Sequence, residues 1–126
     1  MEELDLKTSG FIKNHDFKFI EYKDNCCIIE APINEISLNP YDIVHGGLIY
    51  GLMDTCSGVH VFLETKRNVV TTSGNINYIK KCKGSKIIAK SKQIKIGNNI
   101  SIIEVNAYNE NNEIVATGIF NFYFID

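Results

Sequence analysis

Between Gly46 and Glu64 the apolar residues Leu48, Leu52, Cys56, Val59 and Leu63 recur in steps of three and four, the spacing of one face of an α-helix. Ile49, Met53 and Phe62 widen the stripe until almost no polar face remains. A helix apolar nearly all round has to be covered by other structure. Gly51, Ser57 and Gly58 cost helix propensity there and are small enough to let other backbone approach closely. The rest of the chain offers strands to do the covering. After Arg67 the period falls to two, through VVTTSGNINYI, KIIAKSKQIKI, ISIIEVNAY and IVATGIFNFYFI, all rich in β-branched and aromatic residues. KIIAKSKQIKI sets Ile88, Ile94 and Ile96 on one parity and Ile87 and Ala89 on the other, as in a partly exposed strand. KKCKGS, GNN and NENNE separate these runs as turns. Upstream, FKFIEY and CCIIEAPI flank the turn pair Asp24-Asn25, which reads as a hairpin. Residues 1–14, with Leu4, Leu6, Phe11 and Ile12, suggest a short amphipathic helix. Two strands, one buried helix and four strands make an α+β fold, most economically a curved antiparallel β-sheet wrapped around one long central helix.

With 126 residues, 44% of them hydrophobic and 22% charged, the chain has material for one core, and residues 1–126 read as a single domain. A net charge of -2 argues against a broad nucleic-acid surface. Cys26, Cys27, Cys56 and Cys82 form no C-x-x-C pair, so neither a zinc site nor a disulfide scaffold is expected, and no cofactor. MEELDL is acidic, without a basic region and apolar run, and no apolar stretch approaches the ~18 residues of a membrane span. A reduced, cytoplasmic protein without membrane association is the expectation.

The chemistry concentrates in Asn39-Pro40-Tyr41-Asp42-Ile43-Val44-His45-Gly46-Gly47, followed by Asp54. Glycines at a helix start let substrate approach bare backbone N–H groups. Those first N–H groups lack intrahelical partners and sit at the positive end of the helix dipole, a ready place for a developing oxyanion. Asp54 lies mid-helix among Leu52, Met53 and Cys56, where a carboxylate is costly unless paired or functional. Alone, such an Asp reads as a solvated or salt-bridged residue. Below His45-Gly46-Gly47 and Asn39 it reads as a general base or nucleophile. His45 has a second reading as a helix cap or positioning group, and His15 and His60 have no motif around them. Cys56 points elsewhere on the helix than Asp54, which argues against a cysteine nucleophile.

The spacing N-x5-H-G-G-x6-D, carried by Asn39, His45, Gly46, Gly47 and Asp54, resembles the hot-dog fold acyl-CoA thioesterases of the phenylacetate-pathway (PaaI-like) and 4-hydroxybenzoyl-CoA thioesterase type. The similarity extends through Ile76-Asn77-Tyr78 and a Gly-containing turn at Gly97 to IVATGIFNF, from about residue 38 to 124. It implies hydrolysis of acyl-CoA to a carboxylate and coenzyme A in a tunnel at a subunit interface. On this resemblance Gly46 and Gly47 supply the oxyanion N–H, the second glycine matching most closely, and Asp54 is the catalytic carboxylate. Asn39 binds or orients the attacking water or the thioester. A Ser or Thr on the next strand assists, and Thr71, Thr72 and Ser73 compete for that place, with strand parity relative to Tyr78 favouring Thr71. The Gly97 turn reads IGNN where many relatives carry basic residues, which argues against nucleotide contacts there. The basic run Lys80, Lys81, Lys83 and Lys86, with Lys90, Lys92 and Lys95 beyond, either meets coenzyme A phosphates or forms a solvated turn and an exposed strand face.

Two alternatives share this fold: a non-catalytic acyl-CoA-binding module and an acyl-thioester dehydratase. The mid-helix acid disfavours the first. The second lacks a matching strand histidine. One further expectation follows from helix geometry. Gly46 and Asp54 are eight residues apart, roughly 12 Å along the axis, so a carbonyl held at one helix start is better served by Asp54 of another subunit. A homodimer with shared sites is therefore expected, and the resemblance adds a homotetramer made from two such dimers as the alternative.

Overall fold

A computed structural model describes residues 10–126 of the chain. The element order is α1 (Gly10–Asn14), β1 (Lys18–Lys23), β2 (Cys26–Pro32), a 3-10 turn (Glu35–Ser37), α2 (Gly46–Thr65), β3 (Val69–Tyr78), β4 (Lys86–Ile96), β5 (Ile100–Asn109) and β6 (Ile114–Phe124). The strands form one six-stranded sheet ordered β1-β2-β4-β5-β6-β3, with every neighbouring pair antiparallel. This is the curved antiparallel sheet around one long helix that the periodicities predict. Of the expected amphipathic helix over 1–14, Gly10–Asn14 is helical, and 1–9 lie outside the described residues.

Local chemistry accounts for the elements. Asp24 and Asn25 both take positive φ, 54° and 59°, the two-residue turn whose twist suits a hairpin. Register shifts interrupt β1 at Phe19/Glu21, β3 at Thr71/Ser73 and β4 at Gln93/Lys95. Such bulges bend and twist a strand, which helps the sheet curl around α2. Inward residues Ile29, Ala31, Ile87, Ala89, Ile103, Val105, Ala107, Phe120 and Phe122 close over Leu48, Ile49, Leu52, Met53, Cys56 and Val61 of α2. Beyond the β4 bulge the alternation shifts, and Ile94 is left exposed.

One chain does not cover the whole helix. Tyr50, Gly51, Asp54, Thr55, Gly58, Val59, Phe62 and Leu63 remain half-buried along the side of α2 towards β3. At Gly51 the expected close approach is made by a side chain rather than by backbone: an added Cβ would lie 2.7 Å from the Phe11 ring of α1. Ser57 turns its hydroxyl onto the Met53 carbonyl at 2.8 Å. The sheet's two ends also differ. β1 is flanked with charge by Lys18, Glu21 and Lys23, whereas β3 runs ten residues at the other edge without Lys, Arg or Pro, the devices that normally blunt an edge strand.

Candidate active site

His45 begins α2 in extended conformation (φ -61°, ψ 132°), and its Nδ1 accepts the Gly47 N–H at 2.8 Å. This is an N-cap, with imidazole in the place usually held by Ser or Asp. An accepting Nδ1 carries no proton, which leaves the ring proton on Nε2. The cap also engages the N–H that the resemblance assigns to the oxyanion. A ligand carbonyl reaches that N–H only by replacing His45 as its acceptor. Leu48 and Ile49 both bond to the His45 carbonyl, at 3.0 and 3.2 Å. No bond from the Gly46 N–H appears among those made by the described residues.

The same peptide unit is gripped from its other end. The Tyr78 hydroxyl, from the end of β3, donates to the Gly46 carbonyl at 2.6 Å, and its ring lies 3.1 Å from where a Gly46 Cβ would stand. A side chain at Gly46 would press on that ring, which would have to give by a few tenths of an ångström. A bond to the carbonyl of a peptide polarises that peptide's N–H, here the N–H of Gly47. Tyr78 had a place in the resemblance but no role, because its partner lies 32 residues away.

Asn39 sits in the loop before the helix. Its Oδ1 accepts from the N–H groups of Tyr41 (2.9 Å) and Ile43 (3.4 Å), while its own N–H bonds the Ile43 carbonyl at 2.8 Å. The carboxamide oxygen thus holds the loop, an Asx-type turn, and only the amide NH2 is left to face a cleft. That cleft, about 390 Å³, is lined by Asn39, Gly46, Ile49, Tyr78, Lys80 and Lys81. Lys80 is ion-paired with Glu113. Lys81 and Lys83 are exposed and make no ion pair among the described residues.

Asp54 lies elsewhere. The Thr71 hydroxyl donates to its Oδ1 at 2.7 Å. Burial raises the carboxyl pKa above its ordinary value, and the Thr71 bond opposes the rise in part. Thr72 instead bonds the Asn121 carbonyl at 3.2 Å, and Ser73 accepts from the Asn121 side chain at 2.6 Å. The expected parity from Tyr78 is not what brings Thr71 to Asp54, since a regular strand counted back from Tyr78 would turn Thr72 to the helix. The register shift between Thr71 and Ser73 brings Thr71 round instead. Asp54 and Thr71 line a second cleft of about 450 Å³ between α2 and β3, floored by Val59, Phe62 and Phe122. Six of the expected site residues thus fall into two clefts at opposite ends of β3, while His45, Gly47 and Lys83 line neither. Asn39, Gly46, Lys80 and Lys81 share one, and Asp54 and Thr71 share the other.

Two further groups lie away from both clefts. His60 is fully buried, with Nδ1 2.7 Å from Ser91 Oγ and Nε2 3.1 Å from Gln93 Oε1. Cys56, also fully buried, turns its Sγ to the Cys27 carbonyl at 3.2 Å. Among the described residues no three His, Cys, Asp or Glu side chains gather as metal ligands, and no helix is long and apolar enough to cross a membrane.

A family model described as Thioesterase superfamily matches residues 41–116. The protein named "Putative esterase Ta0293" of Thermoplasma acidophilum is 26% identical over 115 residues, spanning 90% of this chain and 87% of that one. Three solved structures share the fold. Thioesterase HI1161 of Haemophilus influenzae has a TM-score of 0.90 at 19% identity, over 96% of this chain and 86% of its own. The PaaI protein of the E. coli phenylacetic acid degradation operon has a TM-score of 0.88 at 15% identity, over 95% and 87%. The BH2602 protein of Bacillus halodurans, whose structure was solved with CoA, has a TM-score of 0.89 at 25% identity, over 97% and 82%.

Proposed function

The chain belongs to the thioesterase superfamily, and from that premise we infer that it hydrolyses acyl-CoA to a free carboxylate and coenzyme A at a site shared by two subunits. The observation that carries this reading is the Asp54 carboxylate, half-buried, raised in pKa by burial and held by Thr71 beside an apolar cleft. A binding module has no use for such a costly acid. In the proposed reaction the thioester carbonyl takes over the Gly47 N–H from His45, and Asp54 attacks the carbonyl or activates water against it. The tetrahedral oxyanion is stabilised by the first-turn N–H groups and the helix dipole, and its collapse expels coenzyme A thiolate. Where Asp54 is the attacking group, water then hydrolyses the mixed anhydride to the free carboxylate and restores Asp54. Asn39, through its NH2, orients water or the thioester.

Sharing between subunits is supported by three features. Asp54 and Gly46 face different clefts, and they are eight residues and roughly 12 Å apart along α2. β3 is an unprotected edge. Thr71 and Tyr78 stand near its two ends. If two β3 edges pair antiparallel about a two-fold axis near Gly74, Thr71 of one chain meets the partner's Tyr78, and Asp54 approaches the partner's Gly46-Gly47. A closed two-fold dimer is the commonest homo-oligomer, and a tetramer of two such dimers is compatible with it. The free thiols of Cys26, Cys27, Cys56 and Cys82 fit a reducing cytoplasm.

The test is release of thiol from a panel of acyl-CoA esters; if no member of the panel is hydrolysed, the reading falls. The same assay examines the lysines. CoA bound to a structural relative at 25% identity supports a nucleotide contact at the Tyr78 end, where Lys81 and Lys83 are unpaired among the described residues. Changing both to Ala is expected to raise KM for acyl-CoA about 3- to 10-fold and to leave KM for a truncated acyl-pantetheine nearly constant. Equal effects on both substrates would return these lysines to the solvated turn.

Tyr78→Phe tests the grip on the oxyanion peptide. Loss of one neutral hydrogen bond is expected to lower kcat about 2- to 10-fold with a smaller change in KM. Tyr78→Leu, which also removes the ring packed on Gly46, should cost more. Unchanged kcat in Tyr78→Phe would show that the hydroxyl does not tune the peptide.

A further inference from the structure

Glycine inside a helix is destabilising relative to alanine, so a mid-helix glycine calls for a reason. At Gly51 the Phe11 ring, 2.7 Å from an added Cβ, supplies it. Among the described residues nothing of the kind does so at Gly58. A methyl group there would meet, of those residues, only the Phe122 ring, at 3.4 and 3.9 Å, ordinary van der Waals contact that packing accepts. Gly58 lies one helical turn beyond Asp54 and lines the same cleft of about 450 Å³. Val59, Phe62, Val70 and Phe122 line it too, and no Lys or Arg does.

Resting on the reading of Asp54 as the acting carboxylate, we propose that Gly58 keeps open the acyl channel of this enzyme. The channel takes an uncharged acyl chain of about eight to ten carbons. Its length follows from the helix. Asp54 and Phe62 are separated by eight residues, about 12 Å at the helical rise. An extended chain advances about 1.2 Å per bond, three bonds to an extended residue, so about 12 Å holds roughly ten bonds. The polarity follows from the lining. A carboxylate at the far end of the acyl group would lie among Val59, Phe62 and Phe122 with no cation in the lining to pair with it. An apolar chain is what remains, and the missing Cβ at position 58 is what lets it pass along the helix.

The experiment compares kcat/KM for butyryl-, octanoyl-, decanoyl- and adipoyl-CoA in the wild type, Gly58→Ala and Gly58→Val, with thermal unfolding and oligomeric state measured alongside. The wild type should prefer octanoyl- or decanoyl-CoA over butyryl-CoA and discriminate against adipoyl-CoA. In Gly58→Ala the decanoyl-to-butyryl ratio should fall roughly 10-fold, and further in Gly58→Val. The Tm of Gly58→Ala should rise by about 3–6 °C, because alanine is the better helix former. A raised Tm with an unchanged ratio would overturn the proposal, as would an equal loss on every acyl length. A lowered Tm or an altered assembly in Gly58→Ala would mean that the glycine serves packing. If the wild type cleaves none of these esters, it is the thioesterase reading that fails, a different result from an active enzyme indifferent to position 58.

Discussion

Replacing Asp54 by Asn is expected to lower thioester turnover by at least about 100-fold while leaving the protein folded. Asn has the same shape and keeps a carbonyl oxygen to accept the Thr71 hydroxyl, so the 2.7 Å contact survives. It can neither accept the proton of an attacking water nor attack a thioester. Burial raises the Asp54 pKa, which fixes the sign of two further effects. The active species is the carboxylate, so wild-type kcat should fall on the acid side as pH drops through the raised pKa, and the residual rate of Asp54→Asn should lack that limb. For stability, an acid whose folded pKa exceeds its unfolded value binds more protons folded than unfolded between the two. Stability therefore declines as pH rises through that window. Above it the ionised, half-buried Asp54 is a standing cost that Asn removes. Asp54→Asn should unfold at neutral pH no earlier than the wild type. Steady-state kinetics with thermal unfolding reads all three, and near-normal turnover would exclude Asp54 from the mechanism. Single turnover in isotope-labelled water bears on the two chemistries, since label in the Asp54 carboxylate requires an anhydride formed by direct attack and opened by water at the Asp54 carbon.

The second large effect is recovery of activity by mixing two inactive proteins. Gly47→Pro removes the N–H that His45 now caps and pushes against His45, whose Nδ1 would stand 3.0 Å from an added Cβ. The first turn of a helix tolerates proline because its N–H groups have no intrahelical partner. Alone, Gly47→Pro and Asp54→Asn should each be nearly inactive. In a hybrid dimer one of the two sites joins a wild-type Asp54 to the partner's wild-type Gly47, and that site should work at close to its normal rate. Random mixing makes half of the dimers hybrids, each with one good site of two. About a quarter of wild-type activity is then the expected recovery for the pooled sample. Verified hybrids without recovered activity, or an active native monomer, would defeat the shared site and place Asp54 and Gly47 of one chain in one reaction.

How much of this was readable beforehand depends on how far apart in the chain the causes lie. Asp24-Asn25 turning the first hairpin, the helix at Gly46–Thr65 and the four later strands follow from contacts between near neighbours in sequence. A period of 3.6 or 2 and the chemistry of a turn act within a few residues. The His45-Gly46-Gly47 start and the acid two turns below it are equally local, and so is the cost of Asp54 among apolar neighbours. His60 gave no local sign, since its partners Ser91 and Gln93 come from another strand.

The sequence by itself determined the element order, the helix start and the presence of an acid that a buried helix has to account for, because periodicity, capping and burial cost are properties of short segments. Only the tertiary structure decided the rest. It put β3 at an open edge beside β6 and gave the Gly46 carbonyl to Tyr78. It set Thr71, and not Thr72 or Ser73, against Asp54 through one register shift. Two physical reasons apply. Side chains alternate along a strand, so a single extra residue reverses which face each one meets. Strand order is set by which distant segments together cover the apolar helix, and that is a property of the whole chain.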